Sequence, residues 1–278
     1  CYTQGRESAL FYYIGALDLF TNIQALDNAI FSSGVKTLSS RHINPFACRV
    51  ELSGLTYHLN SVRCATLQDV IRAFTACADT LSDSMTLYLT EELYETLTAD
   101  KLAMLISLRK DCGMGFMKFS THDARLYVRC HDITYYPGHR VLRAVRNGVT
   151  QELLDRERQL LRTAEGIVSQ ARARSATALE LETALFDAVC ANVEYITTWD
   201  STEKGQSQLE EGDTAIGALL NGAADCDGYA DAFYLLGNLA GLEVRYKVGN
   251  ARTEFISSGV DGAHRWNLIR LEGQWYMV

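Results

Sequence analysis

Proline is nearly absent from this chain. Its 278 residues contain two, Pro45 and Pro137. So few prolines exclude a polyproline spacer or a proline-rich recognition segment. Basic blocks are missing as well: 26 Lys and Arg face 34 Asp and Glu, a formal net charge of −8. A groove that tracks phosphates needs clustered cations, so no nucleic-acid partner is expected. No apolar run reaches the ~20 residues of a membrane-spanning helix. The most apolar stretch, from Ala9 to Phe20, is interrupted by Asp18. The eight cysteines include no CxxC pair, which argues against zinc sites and thioredoxin-type chemistry. No metal and no cofactor are expected. Cys77, Cys112 and Cys190 fall in helical patterns and read as small buried hydrophobes. A chain of this length needs no disulfide framework, so cysteine usage leaves the compartment open.

The chain starts at Cys1, without an initiator methionine or a recognisable leader. It therefore reads as processed or trimmed, and export is not excluded. An N-terminal cysteine is the lipidated residue of mature bacterial lipoproteins, but the Ser/Gly-rich tether that usually follows is missing here.

What is present is ordinary globular material, 47% hydrophobic and 22% charged, enough for one large or two modest cores. Residues 1–63 read as a helical and irregular segment, with a helix over 6–31 ending at Ser32-Ser33-Gly34. Residues 64–147 read as a small α+β domain. In it, Ala65–Thr80 and Thr98–Cys112 have helical apolar spacing, and Ser84–Thr90 alternates like a half-buried strand. Phe116–Ser120 and Ala124–Tyr136 form two further strands. Residues 148–177 contain a charge-rich helix, Val149–Arg174, expected to be a solvated connector. From 178 to 278 a last domain begins with a helix over Ala178–Tyr195. A polar loop of 16 residues follows, Thr197–Gly212, long enough to be functional or mobile. His42, His58, His122, His131 and His139 lie outside this domain and read as surface or turn residues.

Within the last domain, Asp225-Cys226-Asp227-Gly228-Tyr229 opens a helix whose Tyr229, Ala232, Phe233, Leu236 and Ala240 follow the spacing of a buried face. Cys226 thus sits at a helix N-terminus. The positive end of the helix and its free N–H groups favour a thiolate there and can hold an oxyanion. Asp225 and Asp227 oppose that charge and are candidate helix caps. Thirty-eight residues later, on a strand-like run, comes Ala263-His264-Arg265-Trp266-Asn267. His264, Trp266 and Leu268 share one face of that strand. The face is expected to lie against the Cys226 end of the helix, with Trp266 shielding a Cys–His pair from water. An imidazole beside a thiol is the arrangement that moves its proton. Tyr195 and Trp199, upstream, are candidates for a further oxyanion or substrate contact. The 14 tyrosines would suit a binding cleft, but nothing localises one.

These segments resemble the transglutaminase-like superfamily of papain-like cysteine enzymes, bacterial type. The matching pieces are Leu219-Leu220-Asn221-Gly222, Asp225-Cys226-Asp227-Gly228-Tyr229-Ala230, Gly241, Val248-Gly249, Ala263-His264-Arg265-Trp266-Asn267 and Gln274-Trp275-Tyr276. The resemblance covers about residues 178–278. It implies an α+β fold in which a helix with an N-terminal Cys packs on an antiparallel sheet. It also implies Cys226 as nucleophile and His264 as general base and then acid. The family's orienting Asp stands just after the pattern Trp-Tyr-x-Val, which here is Trp275 to Val278. The favoured expectation is a domain that continues past Val278. A substitute such as Asp261, or an inactive site, are the other two readings; Asn267 points to the wrong face.

The function implied is thiol-dependent acyl transfer or amide hydrolysis on a protein or peptide, cell-wall peptides included. Hydrolysis is favoured over cross-linking. The alternative is a non-catalytic binding or scaffolding module that retains the fold. Relatives of this architecture are often exported or surface-attached, so an extracellular or cell-surface location is implied.

Overall fold

A computed structural model of the chain describes residues 8–12, 37–44, 47–53, 61–99, 103–122, 126–196, 211–251 and 262–278. Trp199, Asp261, His58 and residues 197–210 of the loop expected over Thr197–Gly212 lie outside the described residues; Glu211 and Gly212, its last two, are helical. The chain divides into two units. One comprises Cys1–Cys77, Ser82–Ala99 and Lys118–Asp132; the other comprises Ala78–Leu81, Asp100–Met117 and Ile133–Val278.

The chain begins with β1 (Ser8–Tyr12), β2 (Thr37–Asn44) and β3 (Ala47–Ser53), an antiparallel sheet in the order β1-β3-β2. The expected helix over 6–31 is corrected here: Ser8–Tyr12 is a strand, with Leu10 opposite Arg49. A short apolar run rich in aromatics fits either period, and pairing with β3 decides it. Next come β4 (Ser61–Cys64), α1 (Leu67–Asp79), β5 (Met85–Leu89), α2 (Glu91–Ala99), α3 (Ala103–Asp111), β6 (Met114–His122) and β7 (Tyr127–Tyr135). The strands form a sheet in the order β4-β5-β7-β6, parallel between β4 and β5 and antiparallel between β5 and β7. At the start of α1, the Thr66 and Asp69 side chains each accept the other's backbone N–H, at 3.2 and 2.8 Å. Val70, Phe74 and Cys77 form the helix's buried stripe. The expected helix over Thr98–Cys112 is instead two helices. The unforeseen α2 has an acidic first turn that hides its buried Tyr94 and Leu97.

The second unit adds α4 (Pro137–Asn147), α5 (Asp155–Arg172), α6 (Ala178–Asn192), β8 (Glu194–Tyr195), a π-helical turn at Gly217–Asn221, β9 (Ala223–Ala224), α7 (Cys226–Leu239), β10 (Glu243–Ala251), β11 (Gly262–Leu271) and β12 (Gln274–Met277). Pro137, read as a transition, opens α4 at a position where its missing N–H costs nothing. Helix α5 is not a solvated connector: Leu160, Ala164, Val168 and Ala171 are buried in the unit's core, and Glu157 is buried as well, accepting from Arg140 Nε at 2.6 Å. Helix α7 lies at the centre, with Ala232, Leu235 and Leu236 fully buried. It packs against β10 and β11 of the antiparallel sheet β10-β11-β12. A helix with an N-terminal cysteine on an antiparallel sheet is the α+β core expected from the sequence.

Three sequence expectations for single residues are corrected in this unit, those for His139, Cys112 and Cys190. His139 is no surface residue: it is 2% exposed, stacked between the Tyr135 and Tyr234 rings at 5.7 and 5.9 Å. Burial keeps the imidazole neutral and pushes its pKa down to about 4. Cys77 is buried as expected, but Cys112 is half-buried and Cys190 is exposed.

Candidate active site

Cys226 owes its position to the backbone on both sides of the first turn of α7. Strand β9 leads into it and pairs in parallel with β8, Tyr195 standing opposite Ala224. The Ile196 N–H donates to the Ala224 carbonyl at 2.9 Å, and the Asp225 N–H to the Gly212 carbonyl at 3.0 Å. The Asp225 carboxylate caps the helix, accepting the N–H groups of Asp227 and Gly228 at 2.9 and 3.2 Å. A Cβ on Gly228 would lie 2.4 Å from the Gly212 carbonyl oxygen and 2.7 Å from Ala224 Cβ. Only glycine fits there, which explains the Cys-Asp-Gly run.

Strand β11 supplies His264, opposite Gly249 of β10. The Trp266 ring rests on Gly249, where a Cβ would lie 2.7 Å from its Cη2. The rings of His264 and Trp266 are 6.2 Å apart and inclined by 29°. Cys226, His264, Trp266 and Tyr195 all line one cavity of about 220 Å³. Four of the five residues singled out from sequence therefore meet in one place; Trp199 lies outside the described residues. Tyr195 does so from strand β8, not from the end of a helix.

The face expected to meet the Cys226 end of α7 does line the cavity with it through His264 and Trp266, but it is the less buried of the two. Arg265, Asn267 and Ile269 are the buried residues of β11, while His264, Trp266 and Leu268 are half-buried. Asn267 Nδ2 reaches the Ala230 carbonyl of α7 at 3.1 Å and the Arg245 carbonyl at 3.4 Å. The strand alternates between a face that fastens it to the unit and a face whose His264 and Trp266 line the cavity.

The charges around Cys226 were not visible in the sequence. Arg265, 2% exposed, is held between the rings of Tyr136 and Tyr246, 4.1 and 4.0 Å from their centroids. Its Nη2 donates to the Lys110 carbonyl at 2.8 Å. The two tyrosines in turn donate to carboxylates, Tyr246 to Asp231 at 2.7 Å and Tyr136 to Asp227 at 3.2 Å. Asp231 is fully buried and also accepts the N–H groups of Gly138 and Ala215 at 3.0 and 2.8 Å. Burial nevertheless pushes its carboxyl up, against the pull of these donors and of Arg265. Lys110 Nζ meets Asp227 at 2.8 Å, and Asp111 accepts from Lys247 Nζ and the Val248 N–H, both at 2.8 Å. These two α3 residues lie more than a hundred positions before Cys226, and no local pattern links them to it. Arg265 stood in the motif, but a strand pattern does not reveal a cation–π stack.

The Cys226 thiol is pushed up, first by burial. The Arg265 backbone N–H and Lys110 act against that, and Asp227 and Asp225 add to it. Burial thus opposes the thiolate that the helix end alone would favour. The Tyr195 hydroxyl interacts with both the thiol and the backbone N–H of Cys226. Its own pKa is raised, by burial first and then by the neighbouring Cys226 and Asp225.

Residues 162–278 match the family described as the transglutaminase-like superfamily. No curated protein matches the chain. Among solved structures, one described as a TGase is 13% identical, with a TM-score of 0.34, covering 86% of this chain and 62% of its own. A candidate cysteine protease from Cytophaga hutchinsonii is 15% identical, with a TM-score of 0.31, covering 58% of this chain and 60% of its own. The chain thus spans about three fifths of the length of each.

Proposed function

Residues 162–278 form a transglutaminase-like domain, and from that premise we propose that the chain is a thiol enzyme acting on amide or acyl bonds of a protein or peptide. The observation that carries this reading is one cavity lined by both Cys226, at the N-terminus of α7, and His264. Cys226 Sγ attacks the substrate carbonyl while His264 takes the thiol proton. The C–N bond breaks, His264 returns the proton to the leaving amine, and a thioester remains. Water, or a second amine, then resolves it with His264 acting as base. Hydrolysis is favoured over transfer to an amine.

The raised thiol pKa makes the histidine necessary, since little thiolate stands ready at neutral pH. Asp225 takes up the N–H groups of Asp227 and Gly228 but not that of Cys226, which faces the Tyr195 hydroxyl. That N–H and the hydroxyl are the proposed donors to the developing oxyanion. Trp266 screens His264 from water, and Trp199 is retained as a substrate contact. Cell-wall peptides and an extracellular or surface location are part of the same proposal.

One observation favours the alternative, a binding module that kept the fold: two carboxylates, Asp225 and Asp227, help to keep the thiol protonated. The pH profile of Cys226 alkylation by iodoacetamide separates the two. In the enzyme, the wild-type sulfur alkylates near neutral pH on a limb controlled by the imidazole. His264→Ala moves the reactive limb above ~8.5, the free-thiol range. Superimposable profiles for the two proteins would remove the enzymatic reading.

A further inference from the structure

The cavity beside Cys226 is built to take an uncharged side chain. Its far wall comes from Phe186, Val189 and Cys190 of α6 and from Tyr229 and Phe233 of α7, closed by Trp266 of β11. The rings of Phe186 and Phe233 meet edge to face at 6.5 Å, and those of Tyr195 and Tyr229 lie 5.8 Å apart. No lysine, aspartate or glutamate is among the described lining residues. The guanidinium of Arg265 is engaged by Tyr136, Tyr246 and the Lys110 carbonyl. The Tyr229 hydroxyl is also taken, donating to the Val193 carbonyl. A volume of about 220 Å³ is below the ~300–1,000 Å³ of pockets that enclose a whole small ligand, and suits one side chain.

We propose that this cavity is the acyl-donor side-chain subsite, and that it selects an aromatic or branched aliphatic residue over glutamine or lysine. The assignment rests on the reading of Cys226 as the nucleophile, since it places that side chain next to the attacked carbonyl. An ammonium entering the cavity would leave water without gaining a carboxylate partner among the described lining residues. A primary amide would leave donors and acceptors unpaired against aromatic walls. An aromatic or branched aliphatic group loses nothing polar and gains contact with five rings.

Cys190 provides a reporter independent of catalysis, because it is exposed and lines the cavity without taking part in the chemistry. Iodoacetamide labelling of Cys190 is measured on the whole chain by peptide mass mapping, with N-acetyl amides of Phe, Leu, Gln or Lys present near 10 mM. A Cys226→Ser background keeps the nucleophile out of the measurement. The Phe and Leu amides should slow Cys190 labelling roughly fivefold, as millimolar dissociation constants require. The Gln and Lys amides should change it by less than about twofold. Equal protection by all four amides, or none by the Phe and Leu amides, overturns the subsite. Failure of the enzymatic reading has a different signature, His264-independent alkylation of Cys226, so the two can fail separately.

Discussion

The two faces of β11 carry opposite assignments although their residues alternate along one strand. Arg265, Asn267 and Ile269 point into the unit and are 2%, 3% and 1% exposed. Arg265 is stacked between two tyrosines and Asn267 is tied to α7. On the other face, His264 and Trp266 line the cavity and are only half-buried. The pleat of a single strand thus separates the side chains that fasten it from the two half-buried rings, although Arg265 and Asn267 also reach the cavity lining. If His264 is the proposed base, the inward face is what positions it.

If that division is correct, the inward face should carry the stability. Arg265→Met should have the largest effect, about 3–5 kcal/mol of unfolding free energy by urea denaturation. It leaves the fully buried carboxyl of Asp231 without its neighbouring cation, while Asp227 keeps Lys110. A loss under about 1 kcal/mol would mean that the tyrosine–carboxylate bonds hold the strand without it. Asn267→Ala should cost less, about 1–3 kcal/mol in the same assay, because it removes the buried side-chain bonds to the Ala230 and Arg245 carbonyls. A neutral result would mean that the strand is held to α7 by packing alone. The outward face should respond least: His264→Ala should shift stability by no more than about 0.5 kcal/mol. A cost above about 2 kcal/mol would make His264 a structural residue and erase the contrast between the faces.

The division also shows what the sequence could reveal. The helix at Cys226, its cap at Asp225 and the strand at His264 follow from short-range patterns, because a cap, a three-to-four stripe and a hairpin turn are each written within a few residues. Glu272-Gly273, with φ of 50° and 83°, forms the turn expected between β11 and β12. Alternation correctly separated His264 from Asn267, but it could not say which face the helix covers, since apolar and polar residues occur on both. Arg265 looks like an outward residue by type, yet it is buried because Tyr136 and Tyr246 offer it their ring faces. Lys110 and Asp111 join the surroundings of the site only through tertiary packing. Ser8–Tyr12 and α2 were misread because short or acidic segments carry little periodic signal.

The backbone just before the nucleophile holds both ends of an intervening stretch of chain. Ile196 is fastened to Ala224 and Gly212 to Asp225, so Ile196 and Gly212 are held at neighbouring points of the backbone. Doubling the length of such a closed segment costs only ~0.6 kcal/mol in chain entropy. Evolution, or a designer, can therefore treat that stretch as an exchangeable cassette. New lengths and compositions can be inserted between Ile196 and Gly212 while these anchors of Cys226 stay unaltered.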